Sequence, residues 1–295
     1  MNGAFSIMLS RRRSLFSLSL ILIFFSCQAE FTPDFHDFIV KNYGSEVTTN
    51  LTRADLGMFN MGSFGGKEFK EDEIKNKPVI FLHGVTQRAG VYLSHRTYFE
   101  EHGYDRNELY ATSWGDGGLT PMYDVTLKCE YVKQVRQFIT AVNKYANQKV
   151  DVIAYSMGVA VSRKAILGGK CVDTEEYLGP PLTKYVDVYV ALGGVVRGVE
   201  FCPDYFNGCN KKNGFSCRSA YLGELNRKKR RYEGQHSFAI YSPDDRIVGQ
   251  NCCGKQCSEL PNANVTIKRP GFNHLTLFFG TQLDQNSLTK LQKTL

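Results

Sequence analysis

Runs of consecutive apolar residues recur along the chain, and each ends in a glycine or a polar residue. They do not alternate between apolar and polar positions as half-buried strands do, so they are typical of strands that are buried on both faces of a parallel sheet. The predicted strands cover residues 79–82, 109–112, 150–153, 186–192, 237–241 and 265–267.

Helical periodicity appears between these runs. The clearest case is residues 127–146, where apolar residues recur at three- and four-residue spacing: Val132, Val135, Phe138, Ile139, Val142 and Tyr145. Shorter helices are predicted over residues 91–102, 159–167 and 282–293. Strands that alternate with helices predict the α/β class, with a mostly parallel, twisted sheet and helices on both faces.

Two stretches lack this alternation. Residues 31–77 mix aromatic residues, glycines and charges without a sustained period, and residues 59–66 are predicted to be a loop. Residues 198–232 are rich in cysteine, asparagine, glycine and lysine, which indicates a long irregular insertion. Insertions of this length are usually functional or tied down, and the pattern leaves open whether this one is a mobile lid or a fixed rim.

The N-terminus resembles a secretory signal peptide. Three arginines, Arg11, Arg12 and Arg13, precede an apolar block over residues 15–25, and small residues follow up to Ala29. This block is shorter than the roughly 20 residues that a membrane-spanning helix needs. We therefore expect residues 1–29 to be removed, and residues 30–295 to form a single secreted, extracellular domain without a transmembrane segment.

The remaining eight cysteines support export, because an even number in an exported chain predicts disulfide bonds. Six of them lie within residues 202–257, but sequence alone leaves their pairing open. A zinc site at residues 252–257 is the competing interpretation, which adjacent cysteines and an oxidising compartment disfavour. Asn50 and Asn264 begin N-glycosylation triplets, as in a secreted glycoprotein.

The charge distribution argues against nucleic acid as a partner. The formal net charge is +7, and +4 remains once the three leader arginines are removed. This mild excess favours transient contact with an anionic lipid interface, whereas basic residues are scattered except at residues 227–231. We expect that basic run to be a solvated loop.

A candidate nucleophile, Ser156, lies between a predicted strand and a predicted helix. Its neighbours Ala154 and Gly158 are small enough for the strand and helix to approach each other at a sharp turn. The amide N–H of Met157, at the start of the helix, would face a developing oxyanion. Taken alone, this pentapeptide fits a helix N-cap serine equally well.

An acid and a base follow later strands, in the chain order serine, aspartate, histidine that α/β-hydrolases use. Asp244 and Asp245 both follow the strand at residues 237–241, and spacing does not separate them. His274 follows the last strand, whereas the other five histidines fit a base less well: His36, His83, His95, His102 and His236.

The reasons for setting these histidines aside differ. His95 and His102 are expected in a surface helix, His36 falls in the irregular N-terminal stretch, and His236 precedes its strand. His83 precedes Gly84 and Val85 after the first strand, where an oxyanion loop is expected. We assign His83 a structural role there and the Val85 amide the role of second oxyanion donor.

Taken together, these motifs resemble the class 2 triacylglycerol lipases, an α/β-hydrolase family with small bacterial and secreted animal members. The resemblance runs from residue 78 to the C-terminus, and it rests on residues 78–85, 154–158, 191–194, 245–248 and 271–274. The N-terminal extension and the cysteine-rich region depart from the minimal bacterial pattern.

This resemblance implies a site of known type. Ser156 would be the nucleophile, Asp245 rather than Asp244 the acid and His274 the base. The Val85 and Met157 amides would form the oxyanion hole. Neither a metal nor a cofactor is implied.

The leading functional hypothesis is a secreted serine ester hydrolase, a triacylglycerol lipase that works through an acyl-enzyme intermediate. A carboxylesterase for short, soluble esters is an alternative, because the chemistry is the same. A catalytically inactive secreted binding protein is another, although the intact serine, aspartate and histidine weigh against it. The expected partner is a lipid or a small ester.

Overall fold

The computed structural model describes residues 31–56 and 62–290. The predicted signal peptide lies outside these residues. Seven strands form one sheet in the spatial order β1-β3-β2-β4-β5-β6-β7. All neighbouring pairs are parallel except β1 with β3. The strands are β1 (Ser63–Phe64), β2 (Val79–Leu82), β3 (Leu109–Thr112), β4 (Val150–Tyr155), β5 (Val186–Leu192), β6 (His236–Tyr241) and β7 (Val265–Lys268).

Helices connect the strands and cover both faces of the sheet. They are α1 (Pro33–Thr52), α2 (Leu93–Glu101), α3 (Cys129–Ala146), α4 (Met157–Leu167), α5 (Ala220–Asn226), α6 (His274–Gly280) and α7 (Gln282–Lys290). No helix in this described part of the chain is long and apolar enough to cross a membrane. The architecture is the α/β-hydrolase type that the sequence predicts.

Alternate residues of the central strands enter two separate cores. On one face, Val152 and Ala154 of β4 pack with residues of α1, α3, α4 and α5. On the other face, Ile153 and Tyr155 pack with residues of α2, α6 and α7. Burial on both faces explains why these strands read as continuous apolar runs.

The N-terminal part differs from the sequence-based expectation, because helix α1 occupies much of the stretch that showed no sustained period. Thr32 caps this helix by accepting a hydrogen bond from the Phe35 amide, and Pro33 occupies its first turn. Gly44 interrupts the helical backbone with a φ of 84°. This break shifts the phase of the apolar positions and hides the period. Strand β1 lies within the predicted loop at residues 59–66, of which residues 59–61 are outside the described part.

The prediction that His95 lies on a surface helix was also wrong. It lies in α2 as expected, but it is fully buried rather than on a surface. Its Nε2 atom donates to the carbonyl oxygen of Phe278 in α6 at 3.1 Å. Helix α6 covers this side of α2, which the pattern of α2 alone does not reveal.

The eight cysteines of the described residues form four disulfide bonds: Cys129–Cys171, Cys202–Cys209, Cys217–Cys253 and Cys252–Cys257. Three of the four lie within residues 202–257, where the sequence showed little periodicity. Because all the cysteines at residues 252–257 are bridged, they offer no thiolate to zinc. The basic residues at positions 227–230 are exposed between α5 and β6, as expected of a solvated loop.

A buried carboxyl group lies near the start of β4. The Asp151 side chain accepts a hydrogen bond from the Val188 amide at 3.0 Å, and Asp187 and Lys77 form an ion pair nearby. Burial raises the pKa of Asp151 well above the ordinary 3.8, and the Asp187 charge adds to this rise. Asp151 therefore keeps its proton in the folded chain at pH values where the unfolded chain has lost it.

This proton makes folding pH-dependent. Above about pH 4, the folded chain binds one more proton than the unfolded chain, so the free energy of unfolding falls by up to about 1.4 kcal/mol per pH unit. We expect Asp151→Asn, which keeps an acceptor for Val188, to remove this contribution and to gain stability relative to wild type as pH rises. Urea unfolding between pH 5 and pH 8 measures the difference. The exposed Asp204→Asn is the control, and equal pH slopes in Asp151→Asn and wild type would contradict the assignment.

Candidate active site

Ser156 lies at a strained turn between β4 and α4. Its φ of 53° and ψ of −123° place an L-residue in a sparsely populated backbone region, at a cost on the order of 1–3 kcal/mol. The Ser156 amide donates to the carbonyl oxygen of Leu192 in β5 at 3.0 Å, so the neighbouring strand fixes the turn. The turn projects the hydroxyl beyond the carboxyl end of the sheet.

Close packing against β2 requires a small residue after the serine. A Cβ atom on Gly158 would lie 2.4 Å from the carbonyl oxygen of His83, far inside van der Waals contact. Before the serine, Ala154 is fully buried and pairs with Leu82 and Ala191 on the two neighbouring strands. These small side chains let helix α4 start directly against the end of β2.

Ser156, His274 and Asp245 form a continuous hydrogen-bonded chain. His274 Nε2 lies 2.9 Å from Ser156 Oγ, and His274 Nδ1 lies 2.7 Å from Asp245 Oδ2. The other carboxylate oxygen, Oδ1, accepts hydrogen bonds from the amides of Ile247 and Val248 at 2.9 and 3.1 Å. Asp245 is buried, so its negative charge is held next to the imidazole by fixed donors.

The structure separates the two adjacent aspartates that spacing did not. Asp244 turns away from the imidazole, and its Oδ2 atom accepts a hydrogen bond from the Gly271 amide at 2.6 Å. This bond links the loop after β6 to the loop after β7. Asp244 therefore positions the segment that leads to His274, whereas Asp245 contacts the ring itself.

The sequence suggested that His274 lies in a loop after the last strand. In the structure it is the first residue of α6. Asn273 caps the helix, with its side chain accepting from the Thr276 amide at 2.8 Å. The Tyr155 ring stacks on the imidazole at 4.8 Å, and the Tyr155 hydroxyl donates to the His274 carbonyl oxygen at 3.0 Å. The residue next to the serine thus fixes both the ring and the backbone of the histidine.

The two predicted oxyanion residues lie close to Ser156 in the structure. Met157 is the buried first residue of α4, and Val85 is half-buried in the loop after β2. Both line one pocket together with Ser156. Within residues 31–56 and 62–290, neither amide N–H donates a hydrogen bond, so both are free to bind an anionic oxygen.

His83 controls the direction of the Val85 amide. Burial lowers the pKa of His83 to about 4, so the ring is neutral above that pH. Its Nε2 atom accepts from the Trp114 amide at 3.1 Å, which leaves the proton on Nδ1 to bond the Gly84 carbonyl oxygen at 2.7 Å. In a trans peptide the carbonyl and the next N–H point in opposite directions. Holding the Gly84 carbonyl therefore turns the Val85 N–H away from His83.

An open cleft of about 540 Å³ lies on the His274 side of Ser156. Its lining mixes polar groups with apolar side chains, and includes Thr86, Gln87, Met122, Arg246, Asn273 and Leu275. A smaller pocket of about 220 Å³, lined mainly by apolar residues, opens on the Met157 side. An ester bound at Ser156 therefore has room in two directions.

Within the described residues, the one grouping of potential metal ligands is Cys129, Cys171 and Asp173. Its two cysteines are bonded to each other, and the Asp173 carboxylate accepts from the Cys129 amide at 2.9 Å. It therefore offers no thiolate ligand.

Comparison with known families agrees with the geometry. The family model described as lipase (class 2) matches residues 76–287 of the chain. The chain belongs to the class 2 lipase family. The sequence comparison with curated proteins gives no match.

Solved structures of lipases and esterases share the fold of this lipase-family chain. The mature lipase BlEst2 of Bacillus licheniformis superposes with a TM-score of 0.52 at 14% identity, covering 76% of this chain and 97% of that one. Lipase B of Aspergillus fumigatus gives 0.52 at 18% identity over 76% of this chain, which spans 50% of that enzyme's length. A truncated carbohydrate esterase from gut microbiota gives 0.51 at 14% identity, covering 77% and 89% of the two chains. Identities this low show the shared α/β-hydrolase fold alone.

Sequence reasoning missed several residues that shape the site. The stacking of Tyr155 on His274 and the contact of Trp114 with His83 join residues far apart in the chain, and no local pattern signals them. Phe206 and Phe215 line the smaller pocket from within the irregular insertion. Their aromatic character in a cysteine-rich loop was the only available signal.

The arrangement of His83 predicts a separable effect on ester hydrolysis. His83→Leu removes the donor to Gly84, so we expect kcat to fall by about 10²-fold with little change in KM, as for loss of one oxyanion donor. His83→Asn keeps an N–H near the Nδ1 position, so we expect it to recover much of this loss. Steady-state kinetics at pH 7, with thermal unfolding as a folding control, measure both. If His83→Leu and His83→Asn both fold and have the same kcat, a positioning role for His83 is contradicted.

Proposed function

We propose that this protein is an exported serine ester hydrolase that cleaves acylglycerols through an acyl-enzyme intermediate. The hydrogen-bonded chain from Ser156 through His274 to Asp245 carries this proposal. A serine at a strained strand-to-helix turn, a histidine within 2.9 Å and a buried carboxylate behind it meet the requirements for an activated nucleophile.

The proposed reaction follows from this geometry. Ser156 Oγ attacks the ester carbonyl carbon while His274 Nε2 takes the hydroxyl proton, and the Asp245 charge stabilises the resulting imidazolium. The negative carbonyl oxygen accepts hydrogen bonds from the Val85 and Met157 amides. His274 then returns the proton to the departing alcohol oxygen, which leaves an acyl-enzyme. Water repeats the sequence, releasing the fatty acid and restoring Ser156.

Exposed apolar side chains around the site support a lipid substrate. Met122, Ile247 and Leu275 are exposed and line the open cleft, and Tyr123 and Phe201 are exposed at the smaller pocket. Apolar side chains gathered at a site entrance are costly in water and are typical of surfaces that bind apolar ligands. These exposed apolar side chains favour acylglycerols in an emulsion over short, soluble esters as the substrate.

Four disulfides and the predicted leader support export. Disulfides form and persist in oxidising compartments and are rare in the reducing cytosol. In this proposal residues 1–29 are the leader, and residues 30–295 form one extracellular hydrolase domain. Asn50 and Asn264 are both exposed, so a glycan could be attached to either.

Covalent labelling tests the proposed nucleophile. We expect an alkyl organophosphonate to add one adduct to wild type at Ser156, found by mass spectrometry of tryptic peptides, and none to Ser156→Ala. Wild type should hydrolyse emulsified triacylglycerol, and Ser156→Ala should lose this activity. A folded wild-type protein that neither reacts nor hydrolyses any ester would instead favour a binding protein. Saturation on short, soluble esters without a rise on emulsions would favour a carboxylesterase.

The adjacent aspartates supply a matched pair of variants. Asp245→Asn replaces the acceptor that fixes the His274 tautomer, so we expect kcat to fall by about three to four orders of magnitude. Asp244→Asn keeps an oxygen acceptor for the Gly271 amide, so we expect a loss below about tenfold. Initial rates on a p-nitrophenyl ester measure both variants. Comparable losses would show that the carboxylate contacting His274 has no special role.

A further inference from the structure

The smaller pocket, here named the acyl-side pocket, reaches the proposed nucleophile. Its lining includes Ser156, Val85 and Met157. The rest of its lining is mostly apolar and includes Val195, Val199, Phe201, Phe206, Phe215 and Val248. A chain of methylene groups entering this pocket would exchange water for apolar contacts along its length.

The direction of proton transfer decides which part of an ester enters this pocket. His274 must reach the departing alcohol oxygen, so the alcohol lies on the His274 side, in the open cleft. His274 lines the cleft and does not line the acyl-side pocket. The acyl chain therefore extends past Met157 into the acyl-side pocket.

The irregular insertion, residues 198–232, builds much of the pocket wall. Val199, Phe201, Phe206 and Phe215 all come from this segment. These residues line the pocket although the segment contains no strand and, besides the short helix α5, only one 3-10 turn at Asn207–Cys209. The part of the chain that departs from the minimal bacterial pattern is thus the part that shapes the acyl side.

Several bonds fix this wall in place. The Gly208 amide donates to the Tyr123 carbonyl oxygen at 2.7 Å, and the Phe215 amide donates to Gly208 at 2.6 Å. A Cβ on Gly208 would lie 2.8 Å from the Val125 carbonyl oxygen, so the backbones are in tight contact. The Cys202–Cys209 disulfide closes the segment that carries Phe206.

Two ion pairs join α4 to the insertion and to the residue that follows it. Arg163 and Glu233, each 1% exposed, form an ion pair at 2.9 Å, and Lys164 bonds Glu224 at 2.8 Å. Separating either pair without a new partner would leave a charge buried in α4, which is strongly unfavourable. These contacts favour a fixed rim over a mobile lid, the two alternatives that the sequence left open.

We propose that residues 198–232 limit the length of the acyl chain that the acyl-side pocket accepts, and that the protein prefers medium-chain esters. This inference rests on the proposed hydrolase function. The acyl-side pocket has a volume of about 220 Å³, and a cavity of about 150 Å³ is enough to bind benzene, which has six carbons. By this comparison the pocket accommodates an acyl chain of about eight carbons.

A series of p-nitrophenyl esters from acetate to palmitate tests this proposed limit on acyl-chain length. In wild type we expect kcat/KM to rise by up to about fourfold per methylene to about eight carbons, and then to level off or fall. Phe206→Ala enlarges the pocket, so the maximum should move to longer chains. Val199→Trp fills the pocket, so the maximum should move to shorter chains. Phe69→Ala, an exposed phenylalanine outside both cavities, is the matched control and should keep the wild-type profile.

The outcomes separate this inference from the proposed function. If wild type hydrolyses none of the esters, or if Ser156→Ala hydrolyses them equally well, the proposed function fails. If hydrolysis depends on Ser156 but Phe206→Ala and Val199→Trp keep the wild-type profile, only the proposed chain-length role of residues 198–232 is wrong. Opposite shifts in the two variants, with Phe69→Ala unchanged, would support it.

Discussion

The site depends on the tight turn at Ser156, where β4, α4 and the end of β2 meet without intervening side chains. Gly158 permits this approach, because any Cβ there would overlap the His83 carbonyl. The strained backbone of Ser156 is held by its bond to β5, so the cost of the turn is met by the packed sheet around it. The same turn presents the hydroxyl to His274 and puts the Met157 amide beside the His83 loop.

The other site residues are positioned by contacts with this turn and with each other. Tyr155 stacks on His274 and bonds its carbonyl, so one end of α6 is fixed by the residue before the serine. Phe278 packs between Tyr155, Tyr92 and His95, which fixes α6 against α2. The buried His95 thus supports the geometry of the site through Phe278.

The two sides of the site are built from different parts of the chain. The His274 side is a cleft lined by the segments that follow β2 and β6 and by the start of α6, whereas the Met157 side is lined in part by the disulfide-bonded insertion. Disulfides stabilise irregular segments that bury too little apolar surface to fold alone. A fixed wall of this kind suits discrimination between chain lengths, because a rigid pocket cannot expand to accept extra methylene groups.

The sequence by itself determined the strand–helix alternation, the parallel sheet and the segments that carry the chemistry, because local period and turn residues act over a few positions. Ser156, the two aspartates and His274 were found in this way, and their order indicated the fold. Helix α1 was missed because Gly44 interrupts its period. Spacing alone did not separate Asp245 from Asp244; the family resemblance favoured Asp245, and the hydrogen bond to His274 agrees with it. Only the tertiary structure buried His95, paired the cysteines and placed Phe206 and Phe215 at the pocket. These features depend on contacts between distant segments, and such contacts arise only when the two layers pack on the sheet.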